Sequence, residues 1–345
     1  MQLRPARRQP LHLYIFPLHA RGPTGSQRFE RRLFRREPRC VVDGRIRALV
    51  AVLGFDFRIY SVEESRSEFP DGLADALVLN DIDSNTHDHR CMLQVNRVSQ
   101  ITVLSSPALS SIPGIVHGFS TRRAEHNEFT VGPLSSGNPL IQSNRARFLA
   151  AAGMAGWPLL KLKQTHSNVV QDMRDTLAAN QALSGDAAVT ALRGAALGVQ
   201  TADCVPILIA DRHARVVAAV HAGWRGTSAR IAANTVKQMV DAYRVSAGDL
   251  TAVIGPHNAV CCYEVGEEVV VAVNDADAVV RKPEWAKPHL NQASANKRQL
   301  MDAGIPESQI HVSNLCTQCR ADLFYSYRRE AARTGRMLAV IGVLP

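Results

Sequence analysis

Thr201-Ala202-Asp203-Cys204-Val205-Pro206-Ile207-Leu208-Ile209-Ala210-Asp211-Arg212-His213-Ala214-Arg215-Val216-Val217-Ala218-Ala219-Val220-His221 is the stretch whose reading decides the fold. Two apolar, β-branched runs flank the four turn-forming residues Asp211 to Ala214, the signature of an antiparallel hairpin. Folding about that turn opposes Ala210 with Arg215, Val205 with Val220 and Cys204 with His221. Directly opposed residues carry their Cβ atoms about 5 Å apart on one face. That spacing suits a thiolate about 2.3 Å and an imidazole about 2.1 Å from a common zinc ion. Pro206 removes a ladder donor and allows a bulge, which would displace this register.

A third ligand is sought outward from the hairpin, in Lys163-Gln164-Thr165-His166-Ser167-Asn168, where His166 follows an apolar strand and sits among polar residues. His166, Cys204 and His221 together make three protein ligands, which leave a tetrahedral metal with one open position, the pattern of catalytic rather than structural sites. Two other readings use the same residues. Cys204 can be a buried core thiol and His221 a satisfied core histidine, or Cys204 can be a nucleophile with His221 as its base. Beyond His221, Ala222-Gly223-Trp224-Arg225-Gly226-Thr227 leads into a helical pattern. Two glycines allow close backbone approach, and helix N–H groups with Arg225 favour an anion such as phosphate.

The alternation continues on both sides. Strands are expected at 114–119, 159–162, 187–191, 196–201, 205–210, 216–220, 250–254, 310–313 and 337–343, and helices at 144–152, 227–243, 267–273, 294–303 and 321–334. Several strands are unbroken apolar runs, which implies a sheet covered on both faces. The expected fold class is therefore α/β: a layered single domain over 101–345 with a mixed, largely buried sheet flanked by helices. Residues 1–100 read differently, as an Arg-rich, poorly structured extension, with Met92 as an alternative start of the folded chain.

Charge follows that division. Residues 1–58 hold thirteen of the 40 basic residues and four of the 31 acidic ones, so the remainder is balanced at 27 against 27. The net charge of +9 therefore belongs to the N-terminal segment and gives no reason to expect a nucleic-acid partner. No apolar run approaches the roughly 18 residues of a membrane span. Seven cysteines without secretory spacing suggest reduced thiols and a cytoplasmic protein. Cys316-Thr317-Gln318-Cys319 is a lone CxxC with no second one to complete a four-cysteine site, so a structural role is expected. Cys261 and Cys262 read as packing residues beside Tyr263, and His87-Asp88-His89 as solvated.

Eight motifs then occur in order: HGFSTR (117–122), KQTHSNVV (163–170), GDAAVT (185–190), TADCVPILIAD (201–211), VHAGWRGT (220–227), IGPHNAVCCYEVGEEV (254–269), NLCTQC (314–319) and LFYSYRREAARTGRM (323–337). Over about 112–343 the chain resembles the laccase-domain proteins, formerly called polyphenol oxidases and now regarded as purine nucleoside phosphorylases. The resemblance implies a layered α/β fold and metal ligands at His166, Cys204 and His221, with zinc expected and copper possible. It further implies phosphorolysis of adenosine, inosine and methylthioadenosine to base plus ribose 1-phosphate, with adenosine deaminase activity. Purine nucleosides and phosphate are then the partners, Arg122, Gln164, Asp203 and Arg225 the expected substrate or phosphate contacts, and a monomer or homodimer the expected assembly. The chain departs from the family after Arg122, where Arg123–Glu128 replaces a glycine-rich loop, and at Asn314, where an Asp is usual. A copper-dependent phenol oxidase and a cysteine hydrolase or amidase using Cys204 and His221 are the competing activities. The first requires more paired histidines than the folded part supplies.

Overall fold

Apolar residues on both faces of a strand need cover on both sides, and here two sheets cover each other. The structure, a computed structural model, describes residues 49–53, 56–60, 93–124, 127–133, 135–174 and 183–345. Within 90–345 one mixed sheet runs, from edge to edge, Gln94–Val98, Ile101–Ser105, Ile115–Ala124, Met337–Val343, Ala196–Thr201 and Leu159–Lys161, with Asn127–Glu128 paired to Ile115–Ala124. The other runs Ile310–Val312, Leu250–Ile254, Val205–Asp211, Val217–Ala222, Ala187–Thr190 and Val170–Asp172.

Strand parity shows how they stack. Leu197, Val199, Met337, Ala339 and Ile341 of the first sheet share one core with Ala188, Leu208, Ala210, Val217, Ala219 and Val253 of the second. Alternate residues point outward to helices. Ala196, Leu338 and Val340 meet Phe148 and Leu149 of the helix Pro139–Ala151. On the far side, Val205, Ile207, Ile209, Ala218 and Val220 meet Ile231, Val236 and Met239 of Ile231–Tyr243 and Leu300 of Gln292–Asp302. The result is four layers, helix–sheet–sheet–helix. The α/β expectation holds, with two mixed sheets where a single one was anticipated. No helix of the described residues is long and apolar enough to cross a membrane.

Local differences from the sequence reading have identifiable causes. The strand Gln94–Val98 lies ahead of the expected boundary at 101 and pairs with Ile101–Ser105. Farther upstream, Leu49–Leu53 and Asp56–Tyr60 pair antiparallel within the segment read as poorly structured. His87–His89 and Met92 lie outside the described residues. The helix expected over 227–243 is two helices, Trp224–Ser228 and Ile231–Tyr243, separated at Arg230 (φ 60°). Side-chain amides from Gln292–Asp302 engage the break: Gln292 and Asn296 donate to Thr227 Oγ1 (both 2.9 Å) and Gln299 to the Thr227 carbonyl (2.7 Å). Of the helix expected over 321–334, only Tyr327–Glu330 and a 3-10 turn at Ala331–Arg333 form. The Arg329 guanidinium takes the carbonyls of Thr317, Gln318 and Phe324, and the Arg122 amide takes that of Leu323. The Arg328 amide, which an α-helix would send to the Phe324 carbonyl, donates instead to the Asp203 carboxylate (2.6 Å).

Candidate metal centre

The hairpin forms with a register displaced by two. Ala210 pairs with Val217 and Pro206 with His221, so Cys204 lies beyond the last pair and diagonal to His221 rather than opposite it. Asp211 is the cause. Its carboxylate accepts the Arg215 amide (3.3 Å) and binds the guanidinium twice (2.8 and 2.9 Å), which keeps Asp211 in the strand and moves the loop to 212–215. A displacement of two preserves the face. Cys204 and His221 therefore still point to the same side, toward the other sheet.

His166, Cys204 and His221 converge, with one ligand atom from each within 4.8 Å of the others. Cys204 Sγ lies 3.8 Å from His166 Nε2, and the two imidazoles meet edge-on with centroids 4.9 Å apart. Gly223, the residue across from Cys204 if the ladder is extended, leaves the space for this approach. A Cβ there would stand 2.8 Å from His166 Cδ2 and 3.3 Å from Cys204 Sγ. Both His166 (φ 59°) and Asp203 (φ 95°) adopt left-handed backbone, a strain that non-glycine residues tolerate only where surroundings enforce it.

For His166 the enforcing group is Asp186, which the sequence reading did not single out. Asp186 stands opposite His221 on the neighbouring strand: Ala187 pairs with Val220, and the His221 amide donates to the Asp186 carbonyl (2.7 Å). Its side chain is wholly buried. It accepts the backbone amides of Thr165 (3.1 Å), His166 (3.0 Å) and Ser167 (2.6 Å), together with the Ser167 hydroxyl (2.7 Å). It also accepts His221 Nδ1–H at 2.8 Å. That bond fixes the ring orientation and reserves Nε2, once it gives up its proton, for a metal. One carboxylate thus shapes the His166 turn and orients His221.

The electrostatics of the group are strongly coupled. Burial alone would raise the Asp186 carboxyl, but hydrogen bonds from His221 and Ser167 hold it well below the usual range. Burial opposes the charge on His221, yet the neighbouring Cys204 and Asp186 push it up to about 9. The Cys204 thiol, which burial would raise, is brought down to about 6 by His221 and His166. In metal-free protein, alkylation of Cys204 by iodoacetamide is expected to rise through half-maximum near pH 6. An ordinary cysteine does so near 8.5. Peptide mass spectrometry on samples quenched between pH 5 and 9 checks this, and a midpoint near 8.5 contradicts it.

The four expected substrate contacts divide. Gln164 is committed to the chain, donating to the Gln200 carbonyl (2.9 Å) and accepting its amide (2.8 Å). Asp203 accepts Thr317 Oγ1 (2.6 Å), Ser326 Oγ (3.0 Å) and the Arg328 amide (2.6 Å), so it organises the 317–328 segment. Arg122 binds Glu330 (2.7 Å), Glu128 and the Ala321 carbonyl (3.1 Å), and stacks over Tyr325. Gln164, Asp203 and Arg122 are therefore held by the protein itself, where the sequence reading offered them to substrate. Arg225 differs. It is exposed, lies 4.2 Å over the Trp224 ring, and makes no ion pair among the described residues. Tyr263 and Arg328 join this neighbourhood: burial, with Cys204 and Asp203 nearby, raises the Tyr263 phenol, while Arg328 and Arg225 act in the opposite sense. Neither role was legible beforehand, although both residues stand in recognised motifs.

The other four described cysteines also differ from expectation. The sequence reading kept Cys316–Cys319 apart from Cys261–Cys262, and the structure brings all four together.

Known proteins share this arrangement of motifs and layers. The model of the family described as multi-copper polyphenol oxidoreductase laccase matches residues 117–344. A purine nucleoside phosphorylase of Deinococcus radiodurans is 38% identical over 256 residues, 70% of this chain and 93% of that protein. Adenosine deaminase RL5, from an unknown prokaryotic organism, is 40% identical over 190 residues, 52% of this chain and 72% of its own. The crystal structure of YlmD from Geobacillus stearothermophilus matches with a TM-score of 0.66 at 28% identity, covering 74% of this chain and 100% of that one. With a family match across residues 117–344, more than half of its length, and relatives this similar, the chain belongs to the laccase-domain family.

Proposed function

We propose that this chain is a metal-dependent enzyme that cleaves purine nucleosides by phosphorolysis, converting adenosine, inosine or methylthioadenosine to the free base and ribose 1-phosphate. We extend this to deamination of adenosine as a second activity. The observation that carries the reading is the convergence of two imidazoles and a thiol within 4.8 Å, with a buried carboxylate orienting one of the imidazoles. Relatives named purine nucleoside phosphorylase and adenosine deaminase supply the reaction classes.

The donor set fits zinc: one soft thiolate and two imidazoles, with a fourth position left for substrate or water. Copper accepts the same donors. When bound, the ion supplies Lewis acidity to an oxygen beside it. The other functions fall to the chain. Asp186 orients His221 and fixes the turn that carries His166. Arg225 presents a guanidinium suited to phosphate oxygens. In phosphorolysis a phosphate oxygen bonds to the ribose C1′ as the bond to the purine nitrogen breaks, its electron pair leaving with the base. Trp224 and Tyr263 offer aromatic surface for that base. We place the enzyme in the cytoplasm as a monomer or homodimer acting on small nucleosides.

A second reading rests on the lowered Cys204 thiol between two imidazoles, which also describes a cysteine hydrolase. Incubation of the purified chain with adenosine, with and without phosphate, separates them. Phosphate-dependent adenine plus ribose 1-phosphate supports phosphorolysis, and phosphate-independent inosine supports deamination. Absence of both products, with hydrolysis of amide substrates abolished by alkylation, overturns the proposal in favour of the thiol enzyme.

A further inference from the structure

A second cluster of metal-type donors lies outside the His–Cys–His group. Leu250–Ile254 and Ile310–Val312 are parallel neighbours, so the loops after their C-terminal ends emerge side by side. One loop carries Cys261 and Cys262, the other Cys316 and Cys319. A bridge between His257 and Cys316 extends the pairing, with the Thr317 amide donating to the His257 carbonyl at 2.9 Å. The four sulfurs lie within 4.8 Å of one another, Cys262 and Cys319 at 3.3 Å and Cys261 and Cys319 at 3.6 Å.

We propose that Cys261, Cys262, Cys316 and Cys319 bind one zinc ion in a closed tetrathiolate site that clamps these two loops together. The size of the cage selects the occupant. Zinc–sulfur bonds of about 2.3 Å set tetrahedral sulfurs about 3.8 Å apart, within the range seen here. An iron–sulfur cluster spreads its four cysteines over two or more irons and needs a wider cage. A disulfide between Cys262 and Cys319 accounts for two sulfurs and leaves two thiols packed against it. Backbone also prepares the site: Cys319, Ala259 and Gln318 direct backbone hydrogen bonds to the Cys316 sulfur, and amide donors folded back onto the first sulfur of a CxxC turn suit a metal ligand.

The clamp holds the wall of the first site. Thr317, inside the CxxC, donates to Asp203 Oδ1 (2.6 Å), and Asn258 on the other loop donates through its amide to the Asp203 carbonyl (2.8 Å). Tyr263 directly follows Cys262. Zinc bound by the four sulfurs is thus a positioning element for Asp203 and Tyr263, and is closed to substrate because no coordination position is left open.

Metal analysis of the full chain tests this independently of any activity. In a His166→Ala background, which removes a ligand of the first site, protein freed of loose metal is expected to retain about one zinc per chain. Adding Cys316→Ser and Cys319→Ser is expected to remove that zinc and lower Tm. Should the cysteine variant fail to accumulate, zinc-edge X-ray absorption on the His166→Ala protein decides, with a four-sulfur shell at about 2.3 Å expected. Lack of stoichiometric zinc in the His166→Ala protein, a nitrogen–oxygen shell, zinc surviving the cysteine changes, or a Cys262–Cys319 disulfide in the isolated protein each overturns the proposal.

Discussion

Asp186→Asn is expected to destabilise the fold by about 3 to 5 kcal/mol, the range for leaving one partner of a buried, hydrogen-bonded charge pair uncompensated. The same change is expected to reduce metal affinity at His166, Cys204 and His221 by about 10- to 100-fold, the range for losing the group that orients a ligating histidine. The carboxylate accepts five hydrogen bonds shorter than 3.2 Å, from the amides of Thr165, His166 and Ser167, the Ser167 hydroxyl and His221 Nδ1. An asparagine offers one carbonyl oxygen and turns an NH₂ toward donors already aimed at that spot. Denaturant titration and metal competition measure the two effects separately. The pH dependence has a definite sign. Because the folded Asp186 carboxyl lies below its unfolded value, its contribution is complete above the ordinary carboxylate range and is lost as pH falls through the depressed folded value. Wild-type protein should therefore lose stability on acidification through this range, and Asp186→Asn should lack that component. Equal acid slopes in the two proteins would contradict the role given to Asp186.

Gly223→Ala is expected to act on the metal site with little effect on the rest of the fold. A Cβ at this position enters contact distance of both His166 and Cys204, at 2.8 and 3.3 Å. His166 is exposed and can swing away, so relief comes by displacing a ligand. Overpacking of this kind costs about 1 to 3 kcal/mol. Charged to metal binding, that is roughly a 5- to 150-fold loss of affinity, at about 1.4 kcal/mol per tenfold. Gly137→Ala is the control, since a Cβ there meets nothing within 4 Å. Isothermal titration of zinc into the chelated proteins compares them. Unchanged affinity in Gly223→Ala, with the change in Tm instead, would show that the glycine serves the backbone alone.

How far these features were legible in the sequence follows from the range of the interactions that create them. The strands Val205–Asp211, Val217–Ala222 and Met337–Val343 announce themselves, because burial on both faces leaves unbroken apolar runs. The same property conceals the second sheet, since a fully buried strand carries no sign of which neighbour covers it. Cys204 and His221 were paired correctly in space with the wrong register. The error of two came from reading Asp211 as a turn residue, whereas its salt bridge to Arg215 keeps it in the strand. The role of Asp186 is hidden in the sequence because its partners at 165–167 and 221 are distant along the chain. A lone acid at the head of an apolar strand is the one local signal by which it could have been found. The four-cysteine cluster was missed for a similar reason: only the parallel pairing of Leu250–Ile254 with Ile310–Val312 brings its halves together. The protein partners of Arg122 and Gln164 were not legible, because a charged or amide side chain near a site reads identically whether it meets substrate or a backbone carbonyl.

The central claim is that one ion shared by His166, Cys204 and His221 is required for nucleoside phosphorolysis, and chelation with metal restoration tests it most directly. Release of adenine from adenosine in phosphate buffer is followed in wild type and in Cys204→Ser as zinc is stripped and returned, with bound zinc measured in the same samples. The account predicts that wild-type activity falls with the loss of zinc from this site and returns with it, and that Cys204→Ser regains little of either. Phosphorolysis that persists at full rate in protein stripped of metal at these three residues contradicts the account.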